Sequence, residues 1–297
     1  LFYQHNLIAL KIVAQDTAFA QNLTLNLKGR LLSLQVPKVM GILNITPDSF
    51  FKGSRVQHST EVLHQAEKML TEGADILDIG GYSSRPGATD ISEEEELKRV
   101  IPAIEIILKH FPETIISIDT FRAGVAAAAI DHGALIINDI SGGKLDANMY
   151  SLVARLEVPY IIMHMRGTPQ NMKNQTEYEN IIAEMINYFS EIIFELRKLD
   201  VKDIIIDPGF GFAKTIDQNF LILKQLADFK ICACPILTGL SRKSMIYKTL
   251  GTTAEEALNG STALHMAALM NGASMLRVHD VKEAVETIKL YLQVAPL

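Results

Sequence analysis

Four polar residues, Asp119, Asn138, Asp207 and Lys243, each stand at or just beyond the end of an apolar run. A carboxylate accepts two parallel N–H bonds from an amidine-like edge, and an ammonium donates to a ring carbonyl or nitrogen. Facing one mouth, two carboxylates, an amide and an ammonium could read a flat heterocycle rich in N–H and C=O groups. An Asp119–Lys243 ion pair that only supports the fold is the bland alternative.

A second group closes the chain's last apolar run, in Arg277-Val278-His279-Asp280. Arg277 and His279 are two apart, so on a strand their side chains share a face. A guanidinium fork beside an imidazole suits an anion, phosphate in particular. A third group lies in two Gly-, Pro- and Ser-containing stretches, Asn44 with Thr46-Pro47-Asp48-Ser49, and Ser83-Ser84-Arg85-Pro86-Gly87. These read as loops. They offer hydroxyls, a guanidinium and a carboxylate able to help hold Mg²⁺ on a polyphosphate.

Other conspicuous residues take structural readings. Glu93 to Glu96 follow Ser92, and acid there complements the positive end of a helix dipole, with Ser92 and Glu95 forming a capping box. His164 and His265 lie among apolar residues and are read as core histidines.

The positioning elements follow from periodicity. Apolar runs begin near Val39, Asp75, Ile115, Leu135, Pro159, Asp203, Pro235 and Ser274, and a helical pattern follows each. Pro102 falls inside one such helix and is expected to kink it. Eight β/α units with no break in composition predict a single (β/α)₈ TIM barrel over residues 37–297 rather than two domains. Residues 1–36 are expected to form an N-terminal arm whose Leu23–Leu34 portion reads as a β-hairpin able to plug the barrel bottom, with an ordered but irregular arm as the alternative. A doubly wound sheet is the runner-up, but Gly209-Phe210-Gly211 lacks the third glycine of a nucleotide fingerprint. In a barrel, active sites sit at the C-terminal ends of the strands, where these polar residues fall, and the loops after strands seven and eight often hold phosphate.

Composition narrows the function. Apolar residues make up 48% of the 297, and the formal net charge is −6, which argues against general nucleic-acid affinity. No apolar run approaches a membrane span and no signal peptide is expected. Cys232 and Cys234 are too few for a disulfide framework or a cysteine zinc site and fit a reducing cytoplasm.

Several long motifs, in order, carry a family resemblance. Met40-Gly41-Ile42-Leu43-Asn44-Ile45-Thr46-Pro47-Asp48-Ser49-Phe50 resembles the first signature of the dihydropteroate synthases, the sulfonamide targets of folate synthesis. Gly80-Gly81-Tyr82-Ser83-Ser84-Arg85-Pro86-Gly87-Ala88 resembles the second. Ile118-Asp119-Thr120, Ile137-Asn138-Asp139, Asp207 to Phe212, Ser241-Arg242-Lys243-Ser244 and Arg277 to Asp280 are similar to the rest. Tyr82 departs from the family's usual acid, Ser84 from its usual threonine, and Phe51-Lys52-Gly53 from its usual continuation.

The resemblance implies condensation of 6-hydroxymethyl-7,8-dihydropterin pyrophosphate with p-aminobenzoate, releasing pyrophosphate. By motif position, Asp119, Asn138, Asp207 and Lys243 would hold the pterin. Asn44 with Mg²⁺, and Ser84, Arg277 and His279, would hold the pyrophosphate. Phe50, Ser84, Pro86, Lys243 and Ser244 would line the p-aminobenzoate pocket, with Arg85 near both anions. Asp119, Lys243, Arg277 and His279 would form the catalytic group. No nucleophile stands out, which together with the family suggests a dissociative route. Family habit implies a homodimer. A pterin-binding methyl-transfer domain and a non-catalytic pterin-binding protein are the rivals. The first would not need the two early loops or Ser241–Ser244, and the second would not need Arg277 and His279.

Overall fold

A computed structural model describes residues 23–45, 55–83, 90–168 and 171–295. Strands β1 (Thr24–Leu27) and β2 (Arg30–Ser33) pair antiparallel around Lys28-Gly29 as the predicted hairpin. Lys38–Asn44 is β3, and the chain then alternates: α1 Arg55–Thr71, β4 Ile76–Gly80, α2 Glu93–His110, β5 Ile115–Asp119, α3 Ala123–Asp131, β6 Ile136–Asp139, α4 Met149–Leu156 and β7 Tyr160–Met163. It continues through α5 Ile181–Lys198, β8 Ile204–Asp207, α6 Ile216–Lys224, β9 Leu237–Thr238, α7 Ser244–Leu250, α8 Leu258–Met270, β10 Met275–Val278 and α9 Val281–Val294.

Strands β3 to β10 form one eight-stranded parallel sheet in the order β8-β7-β6-β5-β4-β3-β10-β9. A parallel bridge between Ile206 and Ile236 joins its two ends, so the sheet curls into the expected barrel. The seventh barrel strand, whose apolar run begins at Pro235, is only two residues long. Pro235 has no N–H to give the ladder and serves only as acceptor, from Ile206 N at 3.0 Å. Helix α1 begins earlier than its apolar spacing predicts, and α2 runs through Pro102 as one element.

Strand periodicity divides the interior into layers. The lowest holds one residue from each strand: Met40, Ile76, Ile115, Ile136, Ile161, Ile205, Leu237 and Met275, packed against Leu25, Leu27 and Leu34. The hairpin therefore plugs the barrel bottom. Two residues further along each strand the interior turns polar, with Asp78, Ser117, Asn138, Asp207 and Arg277 among its members. Two residues beyond Asp78 and Ser117 come Gly80 and Asp119, level with Asn44 across the paired strands. The same period that buries the plug layer thus stacks polar groups at the mouth.

Outside the barrel, the second faces of the strands pack on helices. Ile104 and Ile107 of α2, Met185 and Phe189 of α5 and Ala284 of α9 belong to that shell. Glu96 is a correction to the sequence reading. It is not merely acid at a helix start: it is fully buried on the inner face of α2 and bound to Arg122. The capping box is half formed, because Ser92 Oγ accepts from Glu95 N at 3.2 Å while the Glu95 carboxylate instead takes Arg99 at 2.9 Å.

Candidate active site

Asp119 ends β5, and its Oδ2 accepts from Arg277 Nη2 at 2.6 Å. Burial pushes its carboxyl up to about 7, opposed by Arg277 and reinforced by Asp78. Its described ion partner is thus Arg277, a contact that the Asp119–Lys243 alternative does not include. Asn138, in β6, is almost fully buried and donates from Nδ2 to Asp78 Oδ2 at 3.0 Å. Asp207 ends β8, and Gly209 N donates to its Oδ1 at 2.8 Å. Burial raises the Asp207 carboxyl, against the Gly209 N–H and the charges of Lys243, Arg277 and Lys214.

The loop that follows Asp207 is built tightly. Gly209 has φ +67°, and a Cβ there would lie 2.3 Å from the His164 carbonyl oxygen, so glycine is required. Lys214 is buried and donates to the carbonyls of His164 at 3.2 Å, Gly209 at 2.9 Å and Phe212 at 2.9 Å. It fastens the loop, and burial lowers its ammonium pKa to about 7, opposed by the nearby Asp207. Phe212 in turn lies under Lys243, whose Nζ is 4.6 Å from the ring centroid. Lys243 is the N-cap residue of α7, and Ser244 is that helix's first residue, partly buried.

Arg277 lies between two acids. Its Nε donates to Asp78 Oδ2 at 2.6 Å and its Nη2 to Asp119. Burial works against the charge, but Asp78 and Asp119 hold the guanidinium protonated above its already high pKa. His279 follows β10 and is exposed at the rim, with Nδ1 3.2 Å from Ser241 Oγ. Desolvation at the mouth and the nearby Arg277 hold its imidazole below the usual histidine pKa, so it is neutral near pH 7. The two residues read as one anion pair therefore occupy different depths. Asn44 ends β3 at the same level as Gly80. A Cβ on Gly80 would stand 3.5 Å from Asn44 Oδ1 and 3.7 Å from Asp119 Oδ2, in ordinary van der Waals contact, which places both side chains over this glycine.

The geometry brings together strand-end carboxylates, an amide, two cations and an imidazole at one end of one barrel. Residues 40–279 match the model of the pterin binding enzyme family. Dihydropteroate synthase of Escherichia coli strain K12 is 42% identical over 269 residues, covering 89% of this chain and 93% of its own. The chain belongs to the dihydropteroate synthase family. Among solved structures, the Xanthomonas albilineans dihydropteroate synthase with 4-aminobenzoic acid superposes with a TM-score of 0.85 at 38% identity, covering 92% of this chain and 99% of that one. The same organism's enzyme in complex with 7,8-dihydropteroate gives 0.82 at 36% identity, over 92% and 100%.

Within this dihydropteroate synthase scaffold, Thr46 to Ser49, Phe50, Ser84, Arg85 and Pro86 lie outside the described residues. Tyr82, the family departure, stands edge-on to Phe121 at 5.0 Å between ring centroids, and the Arg122 guanidinium lies over both rings at 5.3 and 4.8 Å. His164 packs edge-on against Tyr188 at 4.8 Å, and His265 is buried in α8, in keeping with their structural readings.

Sequence reasoning passed over Asp78, Lys214 and the Arg242–Asp280 pair. Arg242 donates to Asp280 from Nε at 2.9 Å and from Nη2 at 2.7 Å, tying the loop after β9 to the loop after β10. Asp78 carried a signal: it is the acid two residues past Ile76 and two before Gly80, inside an otherwise apolar strand.

Proposed function

We propose that this chain joins 6-hydroxymethyl-7,8-dihydropterin pyrophosphate to p-aminobenzoate, giving 7,8-dihydropteroate and pyrophosphate. The observation that carries the reading is the single mouth at which Asp119, Asn138, Asp207 and Lys243 border the Arg277 guanidinium, in a chain of this family.

Asp119 and Asp207 would accept from the pterin's N–H edge while Asn138 and Lys243 complete its perimeter. The raised Asp119 carboxyl is matched to such a task, since a ligand N–H would restore what burial takes from its charge. Arg277 would meet the pyrophosphate, with neutral His279 and the loop residues Ser84 and Arg85 beside it. Phe50, Ser84, Arg85, Pro86, Lys243 and Ser244 would form the p-aminobenzoate pocket.

Asn44 would hold Mg²⁺ through its carboxamide oxygen. Among the described residues no group of three or more His, Cys, Asp and Glu could bind a metal. One amide oxygen fits an ion that takes its other ligands from phosphate and water, which is the habit of Mg²⁺. Bound there, Mg²⁺ supplies charge neutralisation to the leaving pyrophosphate.

The route is dissociative. The bond between the pterin methylene carbon and the pyrophosphate oxygen breaks, and its electron pair leaves with pyrophosphate. Arg277 stabilises that charge. The methylene cation is conjugated to the dihydropterin ring, and the negative charge of the Asp119 carboxylate favours that positive form. The neutral aromatic amine then donates its lone pair to the methylene carbon and releases a proton to water, so no strong base is needed.

Two further assignments accompany the reading. A homodimer through the outer helices is the first, and Leu250, Met270 and Leu290 are exposed apolar side chains on α7, α8 and α9. The unbridged Cys232 and Cys234 suit a reducing cytoplasm. Among the described residues no helix is long and apolar enough to cross a membrane.

The test is a reaction with both substrates. Dihydropteroate and pyrophosphate should appear in equal amounts, and only when both substrates are present. Pyrophosphate release that ignores p-aminobenzoate and yields no carbon–nitrogen product would overturn the assignment.

A further inference from the structure

Asp78 has no solvent exposure, yet it places a carboxyl group against the Arg277 guanidinium one layer below the mouth. Its described hydrogen bonds all go through one oxygen. Oδ2 accepts from Asn138 Nδ2 at 3.0 Å and from Arg277 Nε at 2.6 Å, while Oδ1 has no partner among the described residues. We propose that Asp78 is a positioning residue: its Oδ2 sets the orientation of the Asn138 amide and of the Arg277 guanidinium together, joining the heterocycle-reading half of the site to the anion half.

An ionised carboxylate only accepts, so Asn138 must turn its NH₂ toward Asp78, and its carbonyl oxygen then faces the other way. Flipping the amide would set oxygen against oxygen in a buried site. Asn138 is thereby fixed as an acceptor for a ligand N–H. For Arg277, Asp78 takes Nε and Asp119 takes Nη2, which leaves the Nη1 end presented away from both acids. Two carboxylates on neighbouring strands thus aim one guanidinium. A buried ion pair is a poor device for stability alone, since well-packed apolar residues do as well. Fixing the orientation of two ligand groups is what an apolar residue cannot do.

Asp78 has no solvent exposure and holds Asn138 and Arg277, so it acts through those two. The inference rests on the proposed reading of those two as ligand groups, and the test separates the two ideas. Asp78→Ala, Asp78→Asn and Asn138→Ala are made singly, and Asp78→Ala is also combined with Asn138→Ala. Each is titrated calorimetrically with 6-hydroxymethyl-7,8-dihydropterin, which lacks the phosphates, and melted to check folding.

Asp78→Ala is expected to weaken binding about tenfold or more, because Asn138 loses its anchor. Asp78→Asn keeps an acceptor oxygen and is expected to stay within about threefold of the parent. In the Asn138→Ala background, Asp78→Ala should cost no more than about a further threefold, the mark of two residues acting as one unit. Parental affinity in folded Asp78→Ala, a loss in Asp78→Asn as large as in Asp78→Ala, or fully additive losses in the double variant would each overturn the proposal. Asp78→Ser takes the same readings if Asp78→Ala does not fold. If neither truncation folds, the carboxylate is a folding element and the proposal falls. An Asn138→Ala variant that binds like the parent would instead sink the reading of Asn138 as a pterin group.

Discussion

Arg277 at the end of the barrel's last strand donates from Nη2 to Asp119 at the end of β5, at 2.6 Å. The guanidinium expected to serve the leaving group is therefore also the counter-ion of an acid expected to serve the pterin. Neither half of the site can be altered without the other being felt.

Replacing Arg277 by Lys tests that linkage. A single ammonium on a flexible stem cannot give Asp78 and Asp119 the separate N–H donors of a planar fork. The expected outcome is a folded protein destabilised by ~1–3 kcal/mol, the cost of an imperfectly satisfied buried acceptor. Affinity for the phosphate-free pterin should fall along with affinity for pyrophosphate. Thermal melting with calorimetry on both ligands checks this, and an effect on pyrophosphate alone would separate the two halves.

Asp119 gives a pH dependence whose sign is fixed by its direction of shift. Burial raises its carboxyl from the ordinary aspartate range to about 7. Only the ionised form accepts two N–H bonds and favours the methylene cation. As pH falls through about 7 the protonated fraction grows, so kcat/KM for the pterin substrate should fall on the acid side. The folded pKa lies above the unfolded one, so the charged carboxylate costs stability above about pH 7 and that cost is relieved as pH falls. Profiles of kcat/KM against pH for the parent and Asp119→Asn check this, and the variant should be lower and lack the acid limb.

The plug makes a prediction free of chemistry. Leu25 and Leu27 are buried against the bottom layer of the barrel. Leu25→Ala should cost ~2–5 kcal/mol, since a buried leucine leaves both transfer energy and a cavity behind. The site lies at the other end of the strands, so KM for either substrate should hardly change. Denaturant melts beside steady-state kinetics make the comparison.

Much of this was legible in the chain. The eight strands, the helices between them and the hairpin follow from periodicities of two and three to four, and those decide what faces the core. Asp119, Asn138 and Asp207 were legible because each ends an apolar run. What stayed hidden is pairing across the barrel. Asp78 and Arg277 are 199 residues apart, and no local pattern connects them. Glu96 was misread for the same reason: its neighbours look like dipole acids, while its partner Arg122 lies on the next β/α unit. Lys214 was passed over because its three acceptors are backbone carbonyls, which carry no residue type.

The central claim is that the strand-end groups read a pterin, and calorimetry on Asp207→Asn tests it most directly. Asp207 is buried, with Oδ1 engaged by Gly209 N, so the variant keeps the shape of the site while replacing one acceptor oxygen with a donor. A mismatch of this kind costs ~1–3 kcal/mol, or about tenfold to a hundredfold in affinity. The account predicts that the parent binds 6-hydroxymethyl-7,8-dihydropterin at one site per chain and that folded Asp207→Asn binds it weaker by that factor. Unchanged affinity in a variant that melts like the parent would remove Asp207 from the site and contradict the account.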